Sequence, residues 1–167
     1  MMRIWTARLL GVAAACLLAA VSAAASFQFR DEVGRFSAVF PAEPTLDKHE
    51  GDSPAGPTVH YGWEVKLENR TYAVIFTLYT RSLAKNYDRN VKAMLDASQG
   101  KLLRQTKVDM GDLDGRETFT LLPDETVMRQ RIFQVGNRFY QAVYLGPFGT
   151  ESRDDVESFM QSFQILK

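Results

Sequence analysis

The sequence predicts an α+β domain in which an antiparallel β-sheet is flanked by helices on both faces. Three observations predict it. Tyr61, Trp63, Val65 and Leu67 alternate with Gly62, Glu64, Lys66 and Glu68, the period of two of a strand with one buried and one wet face. Thr71 to Tyr79 is apolar on both parities, with Tyr72, Val74, Phe76 and Leu78 against Ala73, Ile75 and Tyr79, as expected of a strand covered on both sides. Two segments carry helical stripes instead, and strand-like sequence separates them, so helices and a meandering antiparallel sheet are segregated along the chain.

The 167-residue chain opens with a basic segment holding Arg3 and Arg8 and no acid. An uncharged Leu- and Ala-rich run, Leu9 to Ala20, follows, and then Ser22-Ala23-Ala24-Ala25-Ser26. Small residues stand at the −3 and −1 positions of a cut after Ala25, and a cut after Ala24 fits comparably. This is the layout of a secretory signal over residues 1–25, with a single α+β domain over 26–167 and a periplasmic or secreted destination. The apolar run is short for a span of about 20 residues, so no membrane span is expected after cleavage. Cys16 is the one cysteine. A lipoprotein reading is disfavoured, because Leu17-Leu18-Ala19-Ala20-Val21 follows it in place of a polar tether. With residues 1–25 removed, the domain has no thiol for a disulfide, a nucleophile or a metal.

Phe36, Ala38 and Phe40 make a short strand that Pro41 ends. The Gly- and Pro-rich stretch from His49 to Pro57 reads as a mobile surface loop. After the strands of 61–67 and 71–79, Tyr87, Val91, Met94 and Leu95 fall at i, i+4, i+7 and i+8, a helix that Gly100 suits as a stop. Lys101 to Met110 and Gly115 to Leu122 are strands joined through Gly111-Asp112-Leu113-Asp114. Val127 to Val135 and Arg138 to Leu145 are joined by Gly136-Asn137, a two-residue hairpin signal. A second helix runs from Ser152 to Gln161, with Ser152 as N-cap, Asp154 and Asp155 in the first turn, and Val156, Phe159, Met160 and Phe163 as its stripe.

A two-residue turn fixes register. Val135 then faces Arg138, Phe133 faces Tyr140, Arg131 faces Ala142 and Arg129 faces Tyr144. Arg129, Arg131, Phe133, Tyr140 and Tyr144 share one side of that hairpin. They form the candidate binding surface, since a guanidinium offers a planar donor fork to an anion and rings support it. The alternative for this face is an ordinary sheet surface with arginine stems covering apolar residues.

Arg35-Phe36-Ser37-Ala38-Val39-Phe40-Pro41-Ala42-Glu43-Pro44, Val135-Gly136-Asn137-Arg138-Phe139-Tyr140-Gln141 and the closing Phe159-Met160-Gln161-Ser162-Phe163 resemble segments of small exported bacterial proteins related to the PsbP-like α-β-α sandwich family. The resemblance spans about Phe27 to Lys167. It implies an antiparallel sheet with helices on both faces. Named PsbP proteins are non-catalytic extrinsic subunits and assembly factors of photosynthetic membranes. No motif for that role stands in this chain, so the resemblance implies the fold and a lean toward binding.

Chemistry is sparse. His49 and His60 are the two histidines. Their spacing with Asp47 or Asp52 matches no metal motif, and no metal or other cofactor is expected. No serine stands in a nucleophile elbow. Asp109, Asp112 and Asp114 lack the pattern of a calcium loop and read as a solvated turn. Asn69-Arg70-Thr71 fits a glycosylation sequon but reads as a turn. Paired carboxylates for glycoside cleavage are a spatial arrangement that sequence does not display. Basic and acidic residues balance at 20 each, and removing Arg3 and Arg8 leaves the acids two ahead. Nucleic acid and an anionic membrane surface are therefore not expected partners. The expected function is a non-catalytic periplasmic binding or adaptor module for an envelope protein or a small anionic ligand. The alternative is a small envelope hydrolase using carboxylates and His60 in a cleft near Glu50 to Pro57, with Asp52 as a candidate acid.

Overall fold

The computed structural model describes residues 26–167. The expected signal segment and Cys16 lie outside them. Two antiparallel sheets and two helices make up the domain. A small sheet has the order β1-β2-β10, with β1 Phe27–Asp31, β2 Phe36–Phe40 and β10 Gln164–Ile165. A seven-stranded sheet has the order β3-β4-β5-β9-β8-β7-β6. Its strands are β3 Thr45–Ser53, β4 Gly56–Leu67, β5 Arg70–Tyr79, β6 Lys101–Met110, β7 Leu113–Leu121, β8 Thr126–Val135 and β9 Arg138–Pro147. Helix α1 is Tyr87–Ser98 and α2 is Asp154–Ser162.

The hairpin register read from Gly136-Asn137 is the observed one: Val135 pairs with Arg138, Phe133 with Tyr140, Arg131 with Ala142 and Arg129 with Tyr144. Gly136 takes the left-handed conformation the tight turn requires, at φ 59°. β5, apolar on both parities, lies inside the sheet between β4 and β9.

Alternation along these strands separates two apolar clusters. Tyr72, Val74, Phe76, Phe133, Tyr140 and Tyr144 pack with Phe36 and Phe40 of β2 and with Val156, Phe159, Met160 and Phe163 around α2. The alternate positions Ile132 and Phe139 pack with Tyr87 and Val91 of α1. The layers beside the large sheet are thus not purely helical. On the first side α2 shares its layer with the small sheet, whose β2 places the fully buried Phe36 and Phe40 in the same apolar cluster as Phe159 and Phe163. On the second side α1 reaches Ile132 and Phe139, while His60, Gly62 and Glu64 of β4 stay half-exposed.

Three local expectations also change. The stretch expected as a mobile loop is a hairpin: β3 and β4 pair from Thr45–Glu64 through Ser53–Gly56, leaving Pro54-Ala55 as the turn. Gly56, at φ 104°, takes the conformation that closes it. Arg153, not Ser152, is the N-cap of α2, and it makes no side-chain cap bond. Gln99, at φ 53°, ends α1 in the left-handed region, with Asn86 capping the start through its side chain to the Arg89 N–H. Gly100 is needed instead for close approach, since a Cβ there would lie 2.4 Å from Cγ2 of Thr120.

The β1–β2 turn locks the small sheet to the large one. Asp31 accepts the Gly34 N–H and, at 3.1 Å, the indole N–H of Trp63. Tyr140 donates its hydroxyl to the Gly34 carbonyl at 2.7 Å. A Cβ on Gly34 would sit 2.5 Å from the Phe76 ring and 2.9 Å from the Phe36 ring, both fully buried. Gly34→Ala is therefore expected to destabilise the domain by about 1–3 kcal/mol through overpacking. Chemical denaturation measures it, with the midpoint falling and the slope unchanged.

Candidate functional site

The five residues expected to form a binding surface face inward. Phe133 and Tyr140 are each 1% exposed, Tyr144 is fully buried and Arg129 is 3% exposed. Their hydrogen-bonding groups are engaged inside the protein. Arg129 donates through Nε and Nη2 to Glu117 at 3.2 and 3.0 Å, and through Nη1 to Glu157 at 2.6 Å and to the Glu151 carbonyl at 2.9 Å. Arg131 donates to Glu117 at 2.8 Å and to the Met160 carbonyl at 2.8 Å. Tyr144 shares a 2.6 Å hydrogen bond with the Thr150 hydroxyl.

This face is thus a clamp between β7, β8 and α2, not a shallow site for a partner. Its electrostatics fit that role. Burial works to lower the Arg129 pKa, yet the bonds from Glu157 and the nearby Glu117 charge leave it raised. The Arg129 bond, ahead of opposing desolvation, holds Glu157 below its ordinary value. A second clamp joins Arg70 of β5 to Asp155, whose carboxylate also accepts the Tyr72 hydroxyl at 2.9 Å. Burial, and then that bond, raise the Tyr72 pKa.

The histidine and the acid of the hydrolase reading do not converge. His60 and His49 pair across β3 and β4 with rings stacked at 4.8 Å. His60 is held at both nitrogens, by the Thr58 hydroxyl at 3.0 Å and the Thr77 hydroxyl at 2.9 Å. Burial, and then the His49 charge, lower its pKa. Gly51 pairs with Thr58, so alternation turns Asp52 to the face opposite His60. A depression of about 490 Å³ does lie at Glu50, Asp52 and Pro57, but His60 is not in its lining. Among the described residues, no group of three or more His, Cys, Asp or Glu is placed to hold a metal ion.

A half-open groove of about 670 Å³ lies at one end of the domain. Three pieces of chain build it: the β6–β7 turn with Met110 and Leu113, the β8–β9 turn with Val135 and Arg138, and the C-terminal strand with Ile165 and Leu166. Arg35 stands beside them with φ 52°, and its carbonyl accepts the Leu166 N–H at 2.7 Å, which holds the C-terminal segment against the β1–β2 turn. Met110, Leu113, Val135, Ile165 and Leu166 give the groove apolar patches among polar residues, with Arg35, Arg138 and Lys167 also in its lining. Lys167 lies 3.6 Å from Asp112. Among the described residues, Arg35 and Arg138 have no ion-pair partner. Sequence reading missed this site because its residues meet only when three distant turns close on one another. The visible signal was an arginine directly following each of two turns, at Arg35 and Arg138.

No family model and no curated protein sequence matches the chain. A solved structure does: the solution structure of cyanobacterial PsbP (CyanoP) from Synechocystis sp. PCC 6803, at a TM-score of 0.58 and 14% identity, covering 87% of this chain and 95% of that one. The chain has a PsbP-like fold, and that likeness speaks to fold alone.

Removing Arg129 would leave Glu117 and Glu157 without their shared partner. Arg129→Ala is expected to cost about 3–5 kcal/mol, the range for breaking a buried ion pair from one side. Chemical denaturation checks it. Because Glu157 is depressed in the folded state, its contribution is full above its ordinary pKa of 4.5 and is lost as pH falls through the lower folded value. Wild type should therefore lose stability over that acidic window, and Glu157→Gln should show a shallower loss.

Proposed function

We propose that this chain is an exported, non-catalytic binding module with α-β-α layering, and that the groove at its end receives an anionic group carried on an apolar body. The observation that supports this most is the pair of guanidinium groups of Arg35 and Arg138, without an ion-pair partner among the described residues, beside Met110, Leu113, Val135 and Ile165. A guanidinium fork binds a carboxylate or phosphate through charge-assisted hydrogen bonds, and the apolar patches bury the attached body. The groove's titratable side chains are cationic, apart from Asp112 beside Lys167 and Tyr140, whose hydroxyl is committed to Gly34. No base stands beside a nucleophile there, which favours binding over turnover.

The test uses octanoate as the anionic apolar probe, in calorimetric titration of the protein. Each charge-assisted bond contributes about 1.5–3 kcal/mol, so Arg35→Ala with Arg138→Ala is expected to weaken binding at least about tenfold. Equal affinity in wild type and the double variant would overturn the groove as the binding site. Export rests on the signal-like layout of residues 1–25. Protein recovered from the producing cell should begin at Ala25 or Ser26 by intact mass. A chain retaining Met1 and residing in the cytoplasm would contradict export.

A further inference from the structure

The seven-stranded sheet ends in two long strands whose outer backbone edges have no strand beside them among the described residues. β3 is nine residues long and β6 is ten. Such edges offer rows of unpaired N–H and C=O groups. Their side chains differ in sign. β3 carries Asp47, Glu50 and Asp52 against Lys48, with His49 between them. β6 carries Lys101, Arg104 and Lys107 against Asp109. Apolar exposure concentrates on the same strands: Leu46, Leu102 and Leu103 are three of the five exposed large hydrophobic residues among those described.

We propose that β3 of one copy docks along β6 of a second copy, continuing the sheet head to tail. Charge selects this pairing. Joining β6 to β6 or β3 to β3 in a symmetric dimer would bring together two edges with the same excess charge, which disfavours the strand pair. Joining β3 to β6 sets acids against bases and brings Leu46 toward the exposed leucines. The contact is heterologous, since a different surface of each copy is used, so it propagates instead of closing. The irregularity in β6 falls between Leu102 and Arg104. The remainder, Arg104 to Met110, runs in unbroken register with β7 and leaves a regular edge for the incoming strand.

Light scattering on the full domain tests this by charge exchange. Lys101→Glu with Lys107→Glu gives a copy with two acidic edges. Glu50→Lys with Asp52→Lys gives a copy with two basic edges. All four residues are exposed and, among the described residues, none has an ion-pair partner, so the fold is expected to tolerate the changes. Wild type should rise above the mass of one protomer with concentration at low salt. It should return to it near 1 M salt, where the screening length shrinks to about 3 Å. Each variant alone should stay at one protomer, and an equal mixture should associate, which also shows that both are folded. The proposal is overturned if wild type remains a single protomer at every concentration in low salt, if either variant alone associates as wild type does, or if the mixture does not associate.

Discussion

A buried arginine organises this domain. Arg129 is 3% exposed, and a charge taken out of water costs several kcal/mol unless paired and hydrogen-bonded. Glu117 of β7 and Glu157 of α2 supply the pairing, and the Glu151 carbonyl supplies a further acceptor. Those demands fix where α2 approaches the sheet. Arg131 then binds the Met160 carbonyl near the other end of the helix, where a cation is favoured by the helix dipole. With α2 held at two points, Phe159 and Phe163 reach Phe40 and Phe36. Ser162 accepts the Val39 N–H at 2.8 Å, and β10 follows directly to pair with β2. The wall of the end groove formed by Ile165 and Leu166 is therefore a downstream consequence of the Arg129 clamp.

The sequence disclosed pairings more readily than layers. Gly136-Asn137 was enough to give every partner in the β8–β9 hairpin, because a two-residue turn leaves one register. Period-two alternation divides a strand into two faces but does not say which face another layer covers. Arg129 and Arg131 were read outward on that account. Their inward placement depends on Glu117, directly opposite Arg131 on the neighbouring strand β7, and on Glu157 in a helix that packs back across the sheet. The helix contact is not a local property of the chain. β3 was hidden for a different reason. It is an edge strand, polar throughout apart from Leu46, and its turn is built from Pro and Gly, so it lacks the apolar alternation that marks a half-buried strand.

Cations in this protein thus serve two ends. Arg129 and Arg70 are paired with carboxylates of α2, and Arg131, paired with Glu117, reaches the Met160 carbonyl, so all three stitch α2 to the sheet. Arg35 and Arg138 each follow a tight turn, line the end groove and, among the described residues, make no ion pair.

The division between clamp and groove is tested most directly by titrating isotope-labelled protein with octanoate and following backbone and arginine side-chain resonances by NMR. Shifts confined to the neighbourhood of Arg35, Leu113, Val135, Arg138 and Leu166, with the Arg129 and Arg131 side-chain signals unmoved, are the expected result. Shifts centred on Arg129 and Arg131, or no saturable shifts near Arg35 and Arg138, would contradict it.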